Sequence, residues 1–201
     1  MDKNAFLTED RFVDFRDESI SRLANTLFAV CHSDAEKAEA AFLYVRDEIP
    51  HSFDIRAKII THTASEVLRH KTGICHAKAN LLAALLRSVG LPTGFRFQHI
   101  TFADDDSQDY CLHCYNAVFL NEKWIQLDAR GNKPGVNAQF SLDEPILAFP
   151  CRKEYDEYIF NGIYAKPDLP TMHLLCEAMN IDEVARGLPE FPANKPDLII
   201  D

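Results

Sequence analysis

Residues Lys71–Pro92 read KTGICHAKANLLAALLRSVGLP, and the rest of the chain is organised around this stretch. The turn at Gly73 delivers Cys75 to the first position of an apolar helix, which ends where Gly90 and Pro92 follow. Unpaired backbone N–H groups and the positive end of the helix dipole favour a thiolate at such a position. Cys75 is therefore a candidate nucleophile, although a single cysteine that opens a core helix is more often an inert buried residue.

The spacing of apolar residues along this helix predicts which way the cysteine faces. Intervals of four and three residues connect Cys75, Ala79, Leu82, Leu86 and Val89. The sulfur is therefore expected on the stripe that packs against the core, where it can meet groups brought by other elements.

The composition is that of one acidic domain. With 201 residues, of which 47% are hydrophobic, the chain is long enough for one sizeable core, and we expect a single domain over residues 1–201. The formal net charge of −10, without any basic run, argues against nucleic acid or an anionic membrane as a partner.

The sequence also carries expectations about location. No stretch approaches the roughly 20 apolar residues that span a bilayer, and the first residues lack the apolar run of a signal peptide. These features predict a cytoplasmic protein. The six cysteines are typical of buried thiols in a reducing compartment, although six could also pair.

Two helices are predicted at the start of the chain. Thr8 has the features of an N-cap for a helix that extends to about Cys31, and Ser33 caps a second helix that ends at Glu48. Together they predict an N-terminal helical layer over residues 8–48.

A short third helix is predicted directly before the glycine turn. Thr63 and Glu66 form the capping-box pattern that begins it. The preceding residues 51–62 have no clean period and are interpreted as a surface crossing.

Strands are predicted after the central helix. Beyond Pro92 the apolar period changes to two, which predicts a strand that ends in the acidic loop Ala103–Asp109. A hairpin follows, with Leu112–Leu120 as one arm, Asn121-Glu122 as the tip and Lys123–Asp128 as the other arm.

The last third of the chain gives a weaker signal. Residues 140–201 are interpreted as a C-terminal decoration of a core that spans about 42–131. The predicted elements are a short strand near 146–149 and helices near 154–160, 171–179 and 181–186. The proline-rich tail 189–201 is expected to be peripheral.

The register of the hairpin follows from its two-residue tip. If Leu120 pairs with Lys123, opposed positions sum to 243, and His113 and Asp128 share one face of the sheet as a diagonal pair roughly 7 Å apart. An imidazole base and an orienting carboxylate beside the Cys75 nucleophile are what acyl transfer through a thioester requires. Taken singly, a strand histidine is more often structural, and an aspartate at a strand end is more often a turn former.

Three blocks in order resemble the transglutaminase-like cysteine-protease superfamily. The family pattern is Gly-x-Cys, a helix ending in Leu-Arg-x-x-Gly-Ile-Pro, and a strand that opens with a small residue and Arg. The matching positions here are Gly73, Cys75, Leu86, Arg87, Gly90, Leu91, Pro92 and Arg96. The later blocks, a His followed two residues on by an aromatic and then Trp-x-x-x-Asp, resemble His113, Tyr115, Trp124 and Asp128.

The resemblance, which covers about Phe42 to Gly131, implies a papain-like α+β fold. N-terminal helices and a central cysteine-bearing helix would pack on an antiparallel sheet. Carried over residue by residue, it implies that Cys75 is the nucleophile, His113 the general base and acid, and Asp128 the residue that orients the imidazole. We expect neither a cofactor nor a metal.

One departure from the family concerns the oxyanion. The larger transglutaminases use an upstream Trp to help hold it, whereas the only Trp of this chain is Trp124. The backbone N–H of Cys75 could supply one donor. Weak candidates for the second are Tyr44, His51 and His62.

Other chemistry-bearing residues have simpler interpretations. Cys111 and Cys114 lie three apart in a predicted strand and therefore face opposite sides, which disfavours a zinc site or a disulfide. His76 is expected to point about 100° away from Cys75 around the helix and so not to be the base, although it could line the cleft. The acidic run 104–106 is interpreted as a solvated loop.

The leading prediction is an enzyme that hydrolyses a peptide or amide bond. Transglutaminase-type amine transfer, a catalytically silent module that binds a peptide or protein, and a zinc-binding protein stay open as alternatives. Arg130, opposite His113 in the predicted register, and Gln126, on the face of Asp128, are expected only to support the site. Neither the substrate nor the oligomeric state follows from the sequence.

Overall fold

The computed structural model describes residues 3–102 and 109–200. Its helices are α1 (Glu18–Leu27), α2 (Asp34–Glu48), α3 (Ala64–His70), α4 (Cys75–Ser88), α5 (Leu169–Glu177) and α6 (Ile181–Gly187). Its strands are β1 (Thr93–Thr101), β2 (Tyr110–Leu120), β3 (Lys123–Leu127) and β4 (Tyr158–Ile159). Short 3₁₀ helices occupy Asn4–Leu7 and Lys153–Tyr155.

The first helix is shorter than predicted. α1 is capped by Asp17, whose carboxylate accepts a hydrogen bond from a backbone N–H of the first turn. Upstream, the Asp10 carboxylate accepts from the backbone N–H groups two and three residues later, at 2.8 and 2.9 Å. Because this side chain satisfies local N–H groups in a turn, it competes with helix formation. The predicted N-cap at Thr8 and the predicted helix end at Cys31 are therefore wrong.

The predicted starts of the next three helices are confirmed. Ser33 caps α2 through its side chain. Thr63 and Glu66 form the capping box of α3 with both reciprocal hydrogen bonds present. α4 begins at Cys75, and the chain leaves it through Gly90, whose φ of +80° suits glycine.

Helix α4 is the centre of the fold. It contacts α1, α2 and α3 on one side and β1 and β2 on the other. Every residue between its two end residues is buried, so the helix has no solvent-facing side, and the single core-facing stripe predicted for it is too narrow. Two of its buried polar side chains donate to backbone oxygens of other segments: the Asn80 amide donates to His62, and Arg87 donates to Thr93.

The sheet is four-stranded and antiparallel, with strand order β3-β2-β1-β4. The predicted hairpin register is confirmed, because Leu120 pairs with Lys123 and Asn116 pairs with Leu127. The two tip residues, Asn121 and Glu122, have φ values of +48° and +67°, as a two-residue hairpin turn requires. This register positions the end of β3 beside the middle of β2.

The C-terminal part differs from the prediction in two places. Where a helix was predicted near 154–160, a short 3₁₀ turn is followed by β4, which pairs with β1 at the edge of the sheet. α5 and α6 lie close to their predicted positions. At 146–149 the structure shows only an isolated bridge between Gln139 and Ile146.

The tail lies at the periphery as predicted, since none of its described residues 189–200 is buried, but backbone hydrogen bonds fasten it to the rest of the protein. The backbone N–H of Leu112 in β2 donates to the oxygen of Pro189 at 2.7 Å. Ile163 and Leu198 exchange two backbone hydrogen bonds. Of the predicted acidic loop, residues 103–108 lie outside the described residues.

Two further observations concern the described residues as a set. Within residues 3–102 and 109–200, none of the helices has the length and apolar character needed to cross a bilayer. The six cysteines are all free thiols.

Candidate active site

Cys75 lies at the entrance of α4, at the bottom of a mainly apolar pocket. The residue before it, Ile74, has an extended backbone and supplies no side-chain cap, so the first N–H groups of the helix are open to other partners. The sulfur is partly buried. The pocket is lined by His51, Phe53, Cys75, Ile100, Phe102, Cys111, Leu112, His113, Arg130, Phe149 and Leu188.

His113 and Asp128 form a buried pair beside this cysteine. The distance from His113 Nε2 to Asp128 Oδ2 is 2.9 Å, and both side chains are nearly inaccessible to solvent. Two backbone N–H groups fix the carboxylate, with Arg130 N donating to Oδ1 at 3.2 Å and Ala148 N to Oδ2 at 2.9 Å. Because Nε2 is engaged, Nδ1 is the ring nitrogen left for Cys75.

The negative charges of Asp128 and Cys75 both favour a positive charge on the ring of His113. Burial by itself lowers the pKa of His113, but the negative charges of Asp128 and Cys75 outweigh burial and raise this pKa to about 10. The structure therefore brings together the three residues singled out in the sequence.

The thiol is correspondingly acidic. Burial raises its pKa, but the nearby charges of His76 and His113 outweigh burial and lower the pKa of Cys75 well below its usual value. These two opposite pKa shifts favour a thiolate at Cys75 together with an imidazolium at His113.

His76 lies closer to the sulfur than predicted. Its Nδ1 is 3.4 Å from Cys75 Sγ, so the expectation that the ring points away from the cysteine is wrong. Adjacent helical residues diverge by about 100° at Cβ, but the ring folds back toward the sulfur and stacks on Phe97, with 6.1 Å between ring centroids. The buried Nε2 of His76 has no hydrogen-bond partner among the described residues.

Of the three upstream candidates for an oxyanion donor, only His51 reaches the pocket. The Tyr44 hydroxyl accepts a hydrogen bond from Lys71. His62 pairs with Glu66 at 3.1 Å. His51 is buried, and its Nε2 accepts a hydrogen bond from the backbone N–H of Cys75 at 3.1 Å.

The sequence shows no hydrophobic periodicity around His51, because this residue follows α2 in an irregular segment. The interpretation of residues 51–62 as a surface crossing is wrong for its two ends, since Ser52 and Thr61 are buried as well. Ser52 N donates to Gly73 O at 3.1 Å, which fastens the segment to the turn before Cys75.

The side chains of Arg130 and Gln126 bind residues other than Cys75, His113 and Asp128. The Arg130 guanidinium binds both carboxylate oxygens of Asp54. Burial raises the pKa of Asp54, but its bonds to Arg130 and Lys133 outweigh burial and lower it to about 2. Gln126 accepts a hydrogen bond from Tyr115 at 2.9 Å.

Two aromatic rings hold the imidazole of His113. The ring of Tyr115 stacks on it at 6.2 Å between centroids, and the ring of Phe149 meets it edge-on at 5.0 Å. Since Gln126 holds Tyr115 through its hydroxyl, it supports His113 through this stack.

The surroundings of Cys111 and Cys114 disfavour the reactive thiolate form of both residues. Burial and the charge of Cys75 raise the pKa of Cys111 to about 12 and that of Cys114 well above its usual value. Within the part of the chain that the structure describes, no group of three or more His, Cys, Asp or Glu side chains has the arrangement of a metal site.

The family assignment rests on a match over more than half of the chain. The model of the transglutaminase-like superfamily matches residues 21–129, a range that includes Cys75, His113 and Asp128. The chain belongs to the transglutaminase-like superfamily. Comparison with curated protein sequences found no match to this chain.

One solved structure shows a similar fold, and two others are similar over part of their length. A candidate cysteine protease from Cytophaga hutchinsonii is 18% identical, with a TM-score of 0.52, over 65% of this chain and 43% of that one. A structure described as a TGase is 19% identical over 68% of this chain and 36% of that one, with a TM-score of 0.46. A candidate protease from Parabacteroides distasonis is 17% identical over 68% and 28%, with a TM-score of 0.43. The transglutaminase-like chain thus spans less than half the length of each of these proteins.

Proposed function

We propose that this protein is a cysteine-dependent acyl-transfer enzyme that hydrolyses a peptide or amide bond. Cys75 is the nucleophile, His113 the general acid and base, and Asp128 the residue that orients His113. The observation that carries the proposal is that Cys75 lines the same pocket as His113, whose Nε2 is 2.9 Å from the buried carboxylate of Asp128. The substrate is a peptide or another amide-containing molecule, and the acidic chain is proposed to act in the cytoplasm, without nucleic acid or membrane as a partner.

The reaction follows in two steps. The Cys75 thiolate attacks the carbonyl carbon, a C–S bond forms, and the carbonyl electrons move onto the oxygen. The imidazolium of His113 gives its proton to the leaving nitrogen, the C–N bond breaks, and an amine departs from a thioester. Water then attacks the thioester, His113 takes a proton from it, and the carboxylic acid leaves as the thiolate reforms.

Alkylation with iodoacetamide tests whether Cys75 is an activated nucleophile. At pH 6, stoichiometric modification of Cys75 is expected to be much faster than modification of the other five cysteines, because an ordinary thiol with a pKa of about 8.5 is scarcely ionised there. The modified residue is identified by peptide mass spectrometry. A rate equal to that of the other thiols would contradict the proposal and leave a silent binding module as the better interpretation.

A library of peptides and simple amides tests the reaction itself. We expect cleavage by the wild type and none by Cys75→Ala, with Cys176→Ala, which changes an exposed cysteine, as the matched control. Adding a primary amine such as glycine methyl ester separates hydrolysis from amine transfer, because a transferase would release the amide of that amine as its main product. About one equivalent of zinc in the purified protein would instead favour the metal-binding alternative.

A further inference from the structure

The backbone N–H of Cys75, which should hold the oxygen of a substrate carbonyl, has a partner inside the protein. It donates to Nε2 of His51, with 3.1 Å between the two nitrogens. An oxygen atom beside this hydrogen bond would lie within donor distance of both nitrogens, because each reaches a shared acceptor at about 2.9 Å. The histidine thus stands where a second donor to that oxygen is needed.

The imidazole of His51 is held rigidly in this position. His51 forms an isolated bridge with Gly73, and the next residue donates its N–H to the oxygen of the same glycine at 3.1 Å. The ring is 5% exposed and packs against the ring of Phe53 at 5.5 Å between centroids. Because the segment of His51 is bonded to Gly73, two residues before Cys75, the His51 ring stays next to the start of α4.

The second ring nitrogen of His51 has no partner. Since Nε2 accepts a hydrogen bond, a neutral ring carries its proton on Nδ1, and this buried atom has no hydrogen-bond partner among the described residues. A buried polar atom without a partner needs a functional or structural reason. Here it means that no hydrogen bond fixes the proton on Nδ1.

Burial also keeps this ring neutral. It lowers the pKa of His51 to about 4, more than the hydrogen bond and charge of Cys75 raise it. A neutral imidazole can polarise a carbonyl by donating a hydrogen bond to its oxygen.

The other polar side chains of the pocket are engaged elsewhere. His113 is paired with Asp128, and both terminal nitrogens of the Arg130 guanidinium bind Asp54. The remaining lining residues are apolar or are thiols.

We infer that Nε2 of His51 and the backbone N–H of Cys75 together bind the oxygen of the substrate carbonyl as it becomes an oxyanion. The inference rests on the proposed function. When the oxygen takes the N–H of Cys75, Nε2 loses its donor, and the neutral tautomer of the ring that carries its proton on Nε2 instead of Nδ1 becomes the favoured one. The charge of the ring is unchanged, and the backbone N–H of Cys75 and the Nε2–H of His51 are then two donors within reach of the oxygen.

Two reactions of the same sulfur separate this role from simple positioning. Acylation by p-nitrophenyl acetate develops an oxyanion, whereas alkylation by iodoacetamide does not. We compare the rates at the plateau of each pH profile, where the thiol is fully ionised and a shifted pKa of Cys75 no longer matters. The variant His51→Phe keeps a ring in the site but has no donor, and His51→Gln keeps a donor.

For His51→Phe we expect the plateau rate of acylation to fall by about 10²–10³-fold, as removal of one oxyanion donor does elsewhere. The plateau rate of alkylation should change by less than about threefold, and His51→Gln should recover part of the acylation rate. His62→Phe, the same change in the same segment but outside the pocket, serves as the control and should affect neither rate. Equal changes in both rates, or none in either, would overturn the inference.

A spectroscopic measurement on the wild type keeps the test independent of the variants. The ¹⁵N chemical shifts of the His51 imidazole report which of its nitrogens carries the proton. N-acetyl-leucinal forms a hemithioacetal on Cys75, and its addition should move the His51 proton from Nδ1 to Nε2. An unchanged tautomer would refute the role of His51. If the wild type is alkylated but never acylated, the proposed function falls and the inference with it; if it is acylated and only the His51 comparison fails, the inference alone falls.

Discussion

At the scale of single residues, three imidazoles surround one sulfur atom. His113 is joined to Asp128, His76 lies 3.4 Å from the sulfur on the same helix, and His51 engages the backbone N–H of Cys75. Only the first of these has a carboxylate partner that can hold a positive charge on the ring. This difference is why we assign proton transfer to His113 and not to its two neighbours.

The variant Asp128→Asn tests that assignment. Without the carboxylate charge, the pKa of His113 falls and that of Cys75 rises, so the pH range in which a thiolate faces an imidazolium narrows from both ends. We expect amide cleavage to fall at least about 100-fold. The rate of Cys75 alkylation, followed from pH 4 to 10, should show its midpoint moved to higher pH.

The matched control is Asp143→Asn, which removes an exposed carboxylate paired with Lys123. Its alkylation profile should be that of the wild type. An unchanged profile in Asp128→Asn would show that the carboxylate does not influence the thiol.

At the scale of elements, a buried lysine joins two helices. Lys78 lies one turn after Cys75 on α4, and its Nζ donates to the backbone oxygen of Ile49, with the oxygen of Arg46 3.5 Å away. These oxygens belong to the end of α2, where backbone carbonyls have no partner within the helix. Burial lowers the pKa of Lys78 to about 7.

The stability contributed at this position depends on pH. Because the pKa of Lys78 is about 7 in the folded state and 10.5 ordinarily, the unfolded chain binds more protons between these values, and stability rises with pH across that range. We expect the free energy of unfolding of the wild type, minus that of Lys78→Met, to increase by a few kcal/mol between pH 7 and 10. Urea denaturation of both proteins at each pH measures it, and a difference independent of pH would contradict the shifted pKa.

The hairpin that carries His113 and Asp128 tolerates an unfavourable turn residue. Glu122 has a φ of +67°, a conformation that costs a residue with a side chain roughly 1 kcal/mol relative to glycine. We expect Glu122→Gly to raise the free energy of unfolding by about 0.5–1 kcal/mol without changing the register. Glu122→Ala removes the same charge but keeps Cβ, so it should not stabilise; equal thermal transitions for the two variants would refute the argument.

At the scale of the whole molecule, one buried arginine connects distant parts of the chain. Arg87, near the end of α4, donates hydrogen bonds to the backbone oxygens of Thr8, Thr93 and Ala165. These oxygens belong to the N-terminal segment, the start of the sheet and the C-terminal part. The two ends of the chain are thereby held against the central helix.

Replacing this arginine should therefore weaken the whole domain. Arg87→Met leaves the carbonyl oxygens of Thr93 and Ala165, both buried, and that of Thr8 without their donor, and we expect a loss of about 3–5 kcal/mol in the free energy of unfolding. Arg22→Met, on the exposed face of α1, is the control and should cost less than about 0.5 kcal/mol. A loss below about 1 kcal/mol for Arg87→Met, measured by urea denaturation, would show that the carbonyls find other partners.

The sequence by itself determined the features that depend on neighbours along the chain. The start of α4 at Cys75 follows from the turn and the apolar run, and the register that places His113 near Asp128 follows from a two-residue tip. Both rest on local backbone geometry, which residue types and spacing report directly. The false start at Thr8 arose where a local competitor, the Asp10 carboxylate, held the chain in a turn.

Only the tertiary structure decided which distant groups meet the sulfur. His51 comes from an irregular segment without any period, and Leu188 reaches the pocket from the C-terminal part of the chain. The contact of His76 with Cys75 depends on the orientation of a side chain, which position on a helix does not determine. A one-dimensional pattern records which face of an element is apolar, whereas the position of a second donor beside a nucleophile depends on how separate segments pack together.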